Sequence, residues 1–156
     1  MAAYETKGQS DDWYTPKYIF DALGCEFDLD VSAPPEGPRH VPAKSWFSSS
    51  GEFAVWHGFV WMNPPFGNQK NKMVWIERFI AHGNGIALMP DRTSAPWWQY
   101  LAKNSEVILF MAPKVKFERP DGSLGESPGT GTCLFGIGKE SHKPLLSSGL
   151  GLTLHK

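Results

Sequence analysis

The chain has 156 residues, 41% hydrophobic and 20% charged, which suits one compact domain with its own core and leaves little room for a second. Its 15 Lys and Arg against 16 Asp and Glu give a formal net charge of −1, which argues against binding by bulk phosphate neutralisation but leaves clustered cations open. No apolar run approaches the roughly 20 residues that cross a bilayer, and the start of the chain is polar without a secretory apolar segment, so the expected location is cytoplasmic, with no membrane partner.

In chain order, residues 1–11 read as a tail. Thr15 is placed to cap a helix with Pro16 at its first position, Gly24 after its last turn, and Ile19, Phe20 and Leu23 on its apolar face. Phe27 to Val31 reads as a buried strand, and residues 32–52, rich in Pro, Ser and Gly, as a long loop over the ligand side. Its Trp46 and Phe47 suit either covering a ligand or pinning the loop to the core. Phe59 to Met62 is a second strand, Gly67 to Asn71 a polar crossing, and Met73, Ile76, Phe79 and Ile80 recur at helical spacing before Gly83.

Strands are then expected at Gly85 to Met89, Val107 to Met111 and Thr132 to Ile137, the last weakened by Gly136, with a short helix at Ala95 to Ala102. Adjacent helix residues point about 100° apart, so only one of Trp97 and Trp98 is expected to face the core fully. Residues 139–156 read as a peripheral tail. The alternation predicts one α/β domain over residues 12–138, a mostly parallel sheet flanked by helices with room for an antiparallel end. Cys25 and Cys133 are expected as free thiols, and no close metal-ligand cluster is present in the sequence.

The chemistry concentrates at Asn63-Pro64-Pro65-Phe66, which follows an apolar strand directly. Chemistry in α/β sheets sits where buried strands give way to loops. Asn63 offers a side-chain carbonyl, and Pro64 a backbone carbonyl followed by a residue with no N–H. Two acceptors can converge on one NH₂ group, drawing the nitrogen lone pair out of conjugation, while Phe66 offers a flat face on which an extruded base can stack. The same four residues would also suit an ordinary turn closing a strand.

Other segments accompany this motif in order: Asp12-Trp13-Tyr14-Thr15-Pro16, Phe27-Asp28-Leu29-Asp30-Val31-Ser32-Ala33, Val60 through Gly67, Ala87-Leu88-Met89-Pro90-Asp91-Arg92-Thr93 with Trp97-Trp98, Val115-Lys116-Phe117, and Ser127 to Phe135. The motif resembles the D/N/S-P-P-Y/F/W signature of amino-group methyltransferases, and across about residues 11–138 the chain resembles the phage-type DNA N-6-adenine-methyltransferase (Dam) family. The resemblance implies a shortened S-adenosylmethionine-dependent methyltransferase fold and methyl transfer to the N6 amine of adenine in double-stranded DNA, without a catalytic metal. It implies Asn63, Pro64 and Phe66 as catalytic residues and Trp13, Tyr14, Thr15, Pro16, Asp30, Ser32 and Asn63 as cofactor-binding residues. Pro65, Arg92 and Lys116 become candidates for substrate contact.

Asp30 is preferred over Asp28 for the cofactor because loops at strand ends reach ligands. A departure from the broader methyltransferase pattern stands beside it, because Val31-Ser32-Ala33-Pro34-Pro35-Glu36-Gly37 replaces a glycine-rich loop. Lys70, Lys72, Arg78, Lys114, Lys116 and Arg119 flank the expected site as candidate phosphate contacts. A homodimer would extend the footprint. Cytosine N4 methylation uses the same two acceptors, RNA or a glutamine amide could present such a nitrogen, and a catalytically degenerate nucleic-acid-binding module is the non-enzymatic alternative.

Overall fold

The computed structural model describes residues 13–65, 69–126 and 129–156. The described elements are α1 (Lys17–Leu23), β1 (Phe27–Asp30), β2 (Ala43–Trp46), β3 (Val60–Met62), α2 (Gln69–His82), β4 (Gly85–Pro90), α3 (Pro96–Lys103), β5 (Val107–Met111), β6 (Thr132–Ile137), α4 (His142–Ser147) and β7 (Gly151–His155). Short 3₁₀ turns cover Gly51–Phe53 and Lys139–Ser141.

The described strands form one seven-stranded sheet in the order β2-β1-β3-β4-β6-β5-β7. The three pairings from β2 to β4 are parallel and the three from β4 to β7 antiparallel. Five strands therefore run one way, and only β6 and β7 run against them. The mostly parallel α/β sheet with an antiparallel end is present.

Sheet register shows how the helices divide between the faces. Trp61, Ile86 and Gly136 stand opposite one another across β3, β4 and β6 and share a face. On that face Trp61 meets Phe20 of α1 edge-on, with centroids 4.8 Å apart, and the space above Gly136 is filled by Leu145 of α4. On the other face Gly85 lies under Phe79 of α2, and Phe135 meets Trp98 of α3 at 5.5 Å. Helices thus cover both sides of a sheet whose β3, β4 and β6 are buried along their whole length, as strands covered on both faces must be.

Several expectations change. The predicted loop over 32–52 contains β2, an edge strand parallel to β1. Its residues alternate half-buried and exposed rather than forming an apolar run. Residues 139–156, expected to be a peripheral tail, supply fully buried Leu145 and the edge strand β7. Helix α1 starts one residue later than expected, with Pro16 in the extended N-cap position and no side-chain cap. Gly24 closes it in the left-handed region at φ 63°, where a residue without Cβ is favoured. Helix α2 begins at Gln69, within the predicted crossing.

Both tryptophans of α3 are buried, against the expectation of one. Trp98 turns to Phe110 and Phe135, while Trp97 receives the Lys72 ammonium 4.6 Å from its ring centroid. A second helix packed alongside α3 gives the other indole a buried place. Cys25 and Cys133 are both free.

Candidate active site

Strand order reverses at β1. The chain leaves β1 for β2 on one side and returns to β3 on the other. A crevice opens beyond the carboxyl ends of β1 and β3, where open α/β sheets bind ligands. The cavity there has a volume of about 410 Å³. Its wall includes Asp30 from the end of β1, Asn63, Pro64 and Pro65 after β3, and Trp13, Tyr14 and Thr15 before α1. Loop residues 31–35 and 47–52, with Trp61, Asn71, Trp75 and Phe117, complete much of the rest.

Asn63 is half-buried, and its Nδ2 donates to Thr15 Oγ1 at 3.1 Å. The expected helix-capping hydroxyl is therefore directed to the motif instead. With the amide nitrogen tied to Thr15, Oδ1 is the acceptor end of the side chain. Pro64 is buried and Pro65 exposed, and Pro65 has no N–H with which to engage a carbonyl before it. Among the described residues, no hydrogen bond is accepted by Asn63 Oδ1 or by the Pro64 carbonyl. Phe66, the fourth residue of the motif, lies outside the described residues.

Asp30 is 2% exposed, and its Oδ1 accepts the Ser32 backbone N–H at 3.1 Å. Burial pushes its carboxyl up to about 7, against the lowering effect of that N–H. One donor for a buried carboxyl leaves acceptor capacity unfilled. Asp28 has a different setting: its Oδ2 accepts the Phe59 N–H at 2.8 Å, and it is not part of the cavity wall.

The loop opposite is held by close backbone approach. A Cβ built on Gly51 would stand 1.9 Å from the Val31 carbonyl oxygen, so only glycine fits there. The Gly51 carbonyl accepts the Trp56 indole N–H at 2.7 Å, while Arg78 donates to the Glu52 and Ala54 carbonyls. The glycine that allows tight packing at the end of β1 thus comes from a distant loop rather than from the segment after Asp30.

Across the cavity, three segments meet. The Arg39 guanidinium lies 3.8 Å from the Tyr14 ring centroid and donates to Glu118 Oε1 at 3.3 Å. His40 Nε2 is hydrogen-bonded to Glu118 at 3.0 Å. Tyr14 exchanges backbone hydrogen bonds with Glu118 at 2.8 Å, and its hydroxyl donates to Glu36 at 2.7 Å, holding that carboxyl below its usual range.

The cavity therefore gathers Trp13, Tyr14, Thr15, Asp30, Ser32, Asn63, Pro64 and Pro65. Pro16 is buried at the N-cap of α1 and does not line it. Arg92 and Lys116 are exposed and lie off the wall, Lys116 being adjacent to Phe117, which is on it. Phe47 joins the wall, whereas Trp46 packs over Gly37. Of the other cations, Lys72 is buried on Trp97, Arg78 holds the Gly51 loop, and Arg119 bonds the Leu124 carbonyl and lies 5.4 Å from the Trp13 ring centroid. Lys114 is exposed and donates to the Gly129 carbonyl at 3.3 Å. The Lys70 side chain lies outside the described residues.

A family model described as DNA N-6-adenine-methyltransferase (Dam) matches residues 3–135. The chain belongs to that family. Comparison with curated proteins and with solved structures returned no match.

Membership of the Dam family gives the chain its general activity, methyl transfer to the N6 amine of adenine in DNA, and implies dependence on S-adenosylmethionine. The residues that line the cavity are compatible with such a ligand. The cavity lies in the size range of cofactor pockets, carries the under-satisfied Asp30 carboxyl, and is bordered by Trp13, whose buried indole N–H has no partner among the described residues. No described helix is long and apolar enough to cross a membrane.

Sequence reasoning missed Arg39, His40, Gly51, Trp75 and Glu118. A buried β1–β3 crevice needs a cover, and the only signal for one was the polar loop over 32–52. Which residues close it depends on contacts as much as 81 residues apart.

Proposed function

We propose that this chain methylates adenine N6 in double-stranded DNA through a shortened S-adenosylmethionine methyltransferase fold, using the Asn63 and Pro64 carbonyls to hold the amine. Residues Trp13, Tyr14, Asp30 and Ser32 would hold the cofactor, the Thr15 hydroxyl being engaged by Asn63. When bound, S-adenosylmethionine supplies a methyl group already activated by a sulfonium charge.

The reading rests on one observation above the others. Asn63 is anchored through its nitrogen to Thr15 at 3.1 Å, so its oxygen faces the role of acceptor on the wall that also carries Asp30. A site built in this way recognises a donor. An exocyclic amine satisfies it with both protons, one to Asn63 Oδ1 and one to the Pro64 carbonyl, whereas a keto oxygen at the same place would leave both of these acceptors, and itself, unpaired.

Accepting both protons holds the amine in one orientation and removes its lone pair from ring conjugation. The nitrogen then becomes nucleophilic with no serine, cysteine or histidine required, and positioning supplies the main part of the rate. The excess proton leaves through the Asn63 region or water. An adenine must first leave its stack, which costs a few kcal/mol. Phe66 is proposed to receive the base on its face, with Pro65 beside it, and Arg92 and Lys116 to contact phosphates.

Incubation with methyl-labelled S-adenosylmethionine and a library of random duplexes tests this reading. Label on adenine N6 within a short common sequence is the expected result. Label confined to cytosine, RNA or protein, or none on any substrate from folded protein, rejects it.

A further inference from the structure

The geometry points to Thr15 as a positioning residue of the reaction, one that fixes which end of the Asn63 carboxamide faces the substrate. The inference rests on Asn63 being the amine-holding residue and adds a determinant of its orientation.

A carboxamide is nearly symmetric in shape. Rotated by half a turn about its last side-chain bond, Asn63 would present two N–H donors where an amine needs an acceptor, and the two groups would repel. Free in water, the two orientations have similar energy. A site that depends on one of them needs a partner that tells nitrogen from oxygen.

Thr15 supplies that partner. Thr15 is 7% exposed, which limits the access of competing water to the hydrogen bond. Its Oγ1 accepts from Asn63 Nδ2 at 3.1 Å across 48 residues of sequence. A hydroxyl can also donate, so acceptance alone would not select the orientation if its proton were idle. Thr15 is among the residues that line the same cavity as Asp30 and Ser32, and a hydroxyl proton donated into that space would leave Oγ1 its acceptor role toward Asn63.

The backbone makes the arrangement durable. Tyr14 is tied to Glu118 by two backbone hydrogen bonds at 2.8 Å, while Pro16 restrains the chain on the other side. Thr15 is thereby fixed between a bridge and a helix start, and β3 holds Asn63 immediately after its last residue. The α1 start needs no side-chain cap from Thr15, so its hydroxyl serves the motif.

The test compares wild type with Thr15→Val, which keeps shape but has no oxygen, and Thr15→Ser, which restores the oxygen. Thr15→Ala is the second oxygen-free variant should the valine protein not fold. Turnover, KM for S-adenosylmethionine and the ¹⁵N–¹H signals of the Asn63 side-chain amide, measured without substrate, are read together. The oxygen-free variant should lose roughly tenfold in kcat, the effect of one neutral hydrogen bond. Its KM should stay within about twofold, as expected for an interaction that orients the reacting amine rather than binding the cofactor.

Thr15→Ser should recover most of the turnover. One Asn63 amide proton should be shifted downfield in wild type and Thr15→Ser and lose that shift without the oxygen. Equal kcat in wild type and the oxygen-free variant, equal loss in the serine variant, or unchanged Asn63 amide signals would overturn the assignment. If wild type transfers no methyl to adenine, the proposed function fails, while the amide signals still decide whether Thr15 orients Asn63.

Discussion

Replacing Asp30 with Asn should stabilise the protein at alkaline pH while impairing the site. Burial raises the Asp30 carboxyl from 3.8 to about 7. A carboxyl whose folded pKa exceeds its unfolded one favours folding most fully below the unfolded value, and that contribution is lost as pH rises through the folded value. The window is therefore about pH 4 to 7. Three pKa units correspond to about 4 kcal/mol at most, of which roughly 2.5 kcal/mol falls between pH 5 and pH 8 by order-of-magnitude linkage arithmetic.

Asn keeps the oxygen that accepts the Ser32 N–H and never ionises. Urea unfolding of both proteins at pH 5 and pH 8 should show Asp30→Asn gaining on wild type across that interval, with the larger advantage at pH 8. Calorimetric titration with S-adenosylmethionine at pH 8 should show weaker binding to the more stable variant. A stability difference that stays constant within about 0.5 kcal/mol between the two pH values would show that Asp30 does not titrate with folding in this range, as would an Asn variant less stable at pH 8.

Leu145→Ala should cost about 2–5 kcal/mol, because Leu145 is fully buried and fills the space over Gly136; denaturant midpoints check it, and an unchanged midpoint would return residues 139–156 to the periphery. Arg92→Ala and Lys116→Ala should each weaken DNA binding similarly across sequences and lower the salt slope by about one, leaving cofactor affinity unchanged. Binding isotherms at several salt concentrations decide this, and unaltered slopes would remove these residues from the phosphate contacts.

How much of this was legible depended on how much information each segment carried locally. Strands β4, β5 and β6 read directly because a strand covered on both faces is a continuous apolar run, and Val107–Met111 and Thr132–Ile137 were located to the residue. The two edge strands were missed for the complementary reason. β2 and β7 alternate half-buried with exposed positions, so Ala43-Lys44-Ser45-Trp46 looks like loop, and exposed Leu152 and Leu154 sit amid Gly, Ser and Lys.

The site divides in the same way. The placement of Asn63, Pro64 and Asp30 on the cavity wall was readable because each stands at or just past the end of a strand, and strand ends carry ligands in this class of fold. The role of Thr15 was not. Its neighbours favour a helix cap, a local explanation sufficient by itself, whereas the hydrogen bond to Asn63 exists only once α1 and β3 are brought together. Arg39 and His40 meet Glu118 from about 80 residues away, and Gly51 shows its purpose only against the Val31 carbonyl.

Asn63 is proposed to act on the amine of the target base. That role is tested most directly by measuring methyl transfer to adenine-containing duplex and S-adenosylmethionine binding on the same folded Asn63→Ala protein. Transfer should fall by two orders of magnitude or more, on the scale seen when a group aimed at the reacting atom is removed, while cofactor affinity changes by only a fewfold. Near-normal turnover by Asn63→Ala would remove Asn63 from that role.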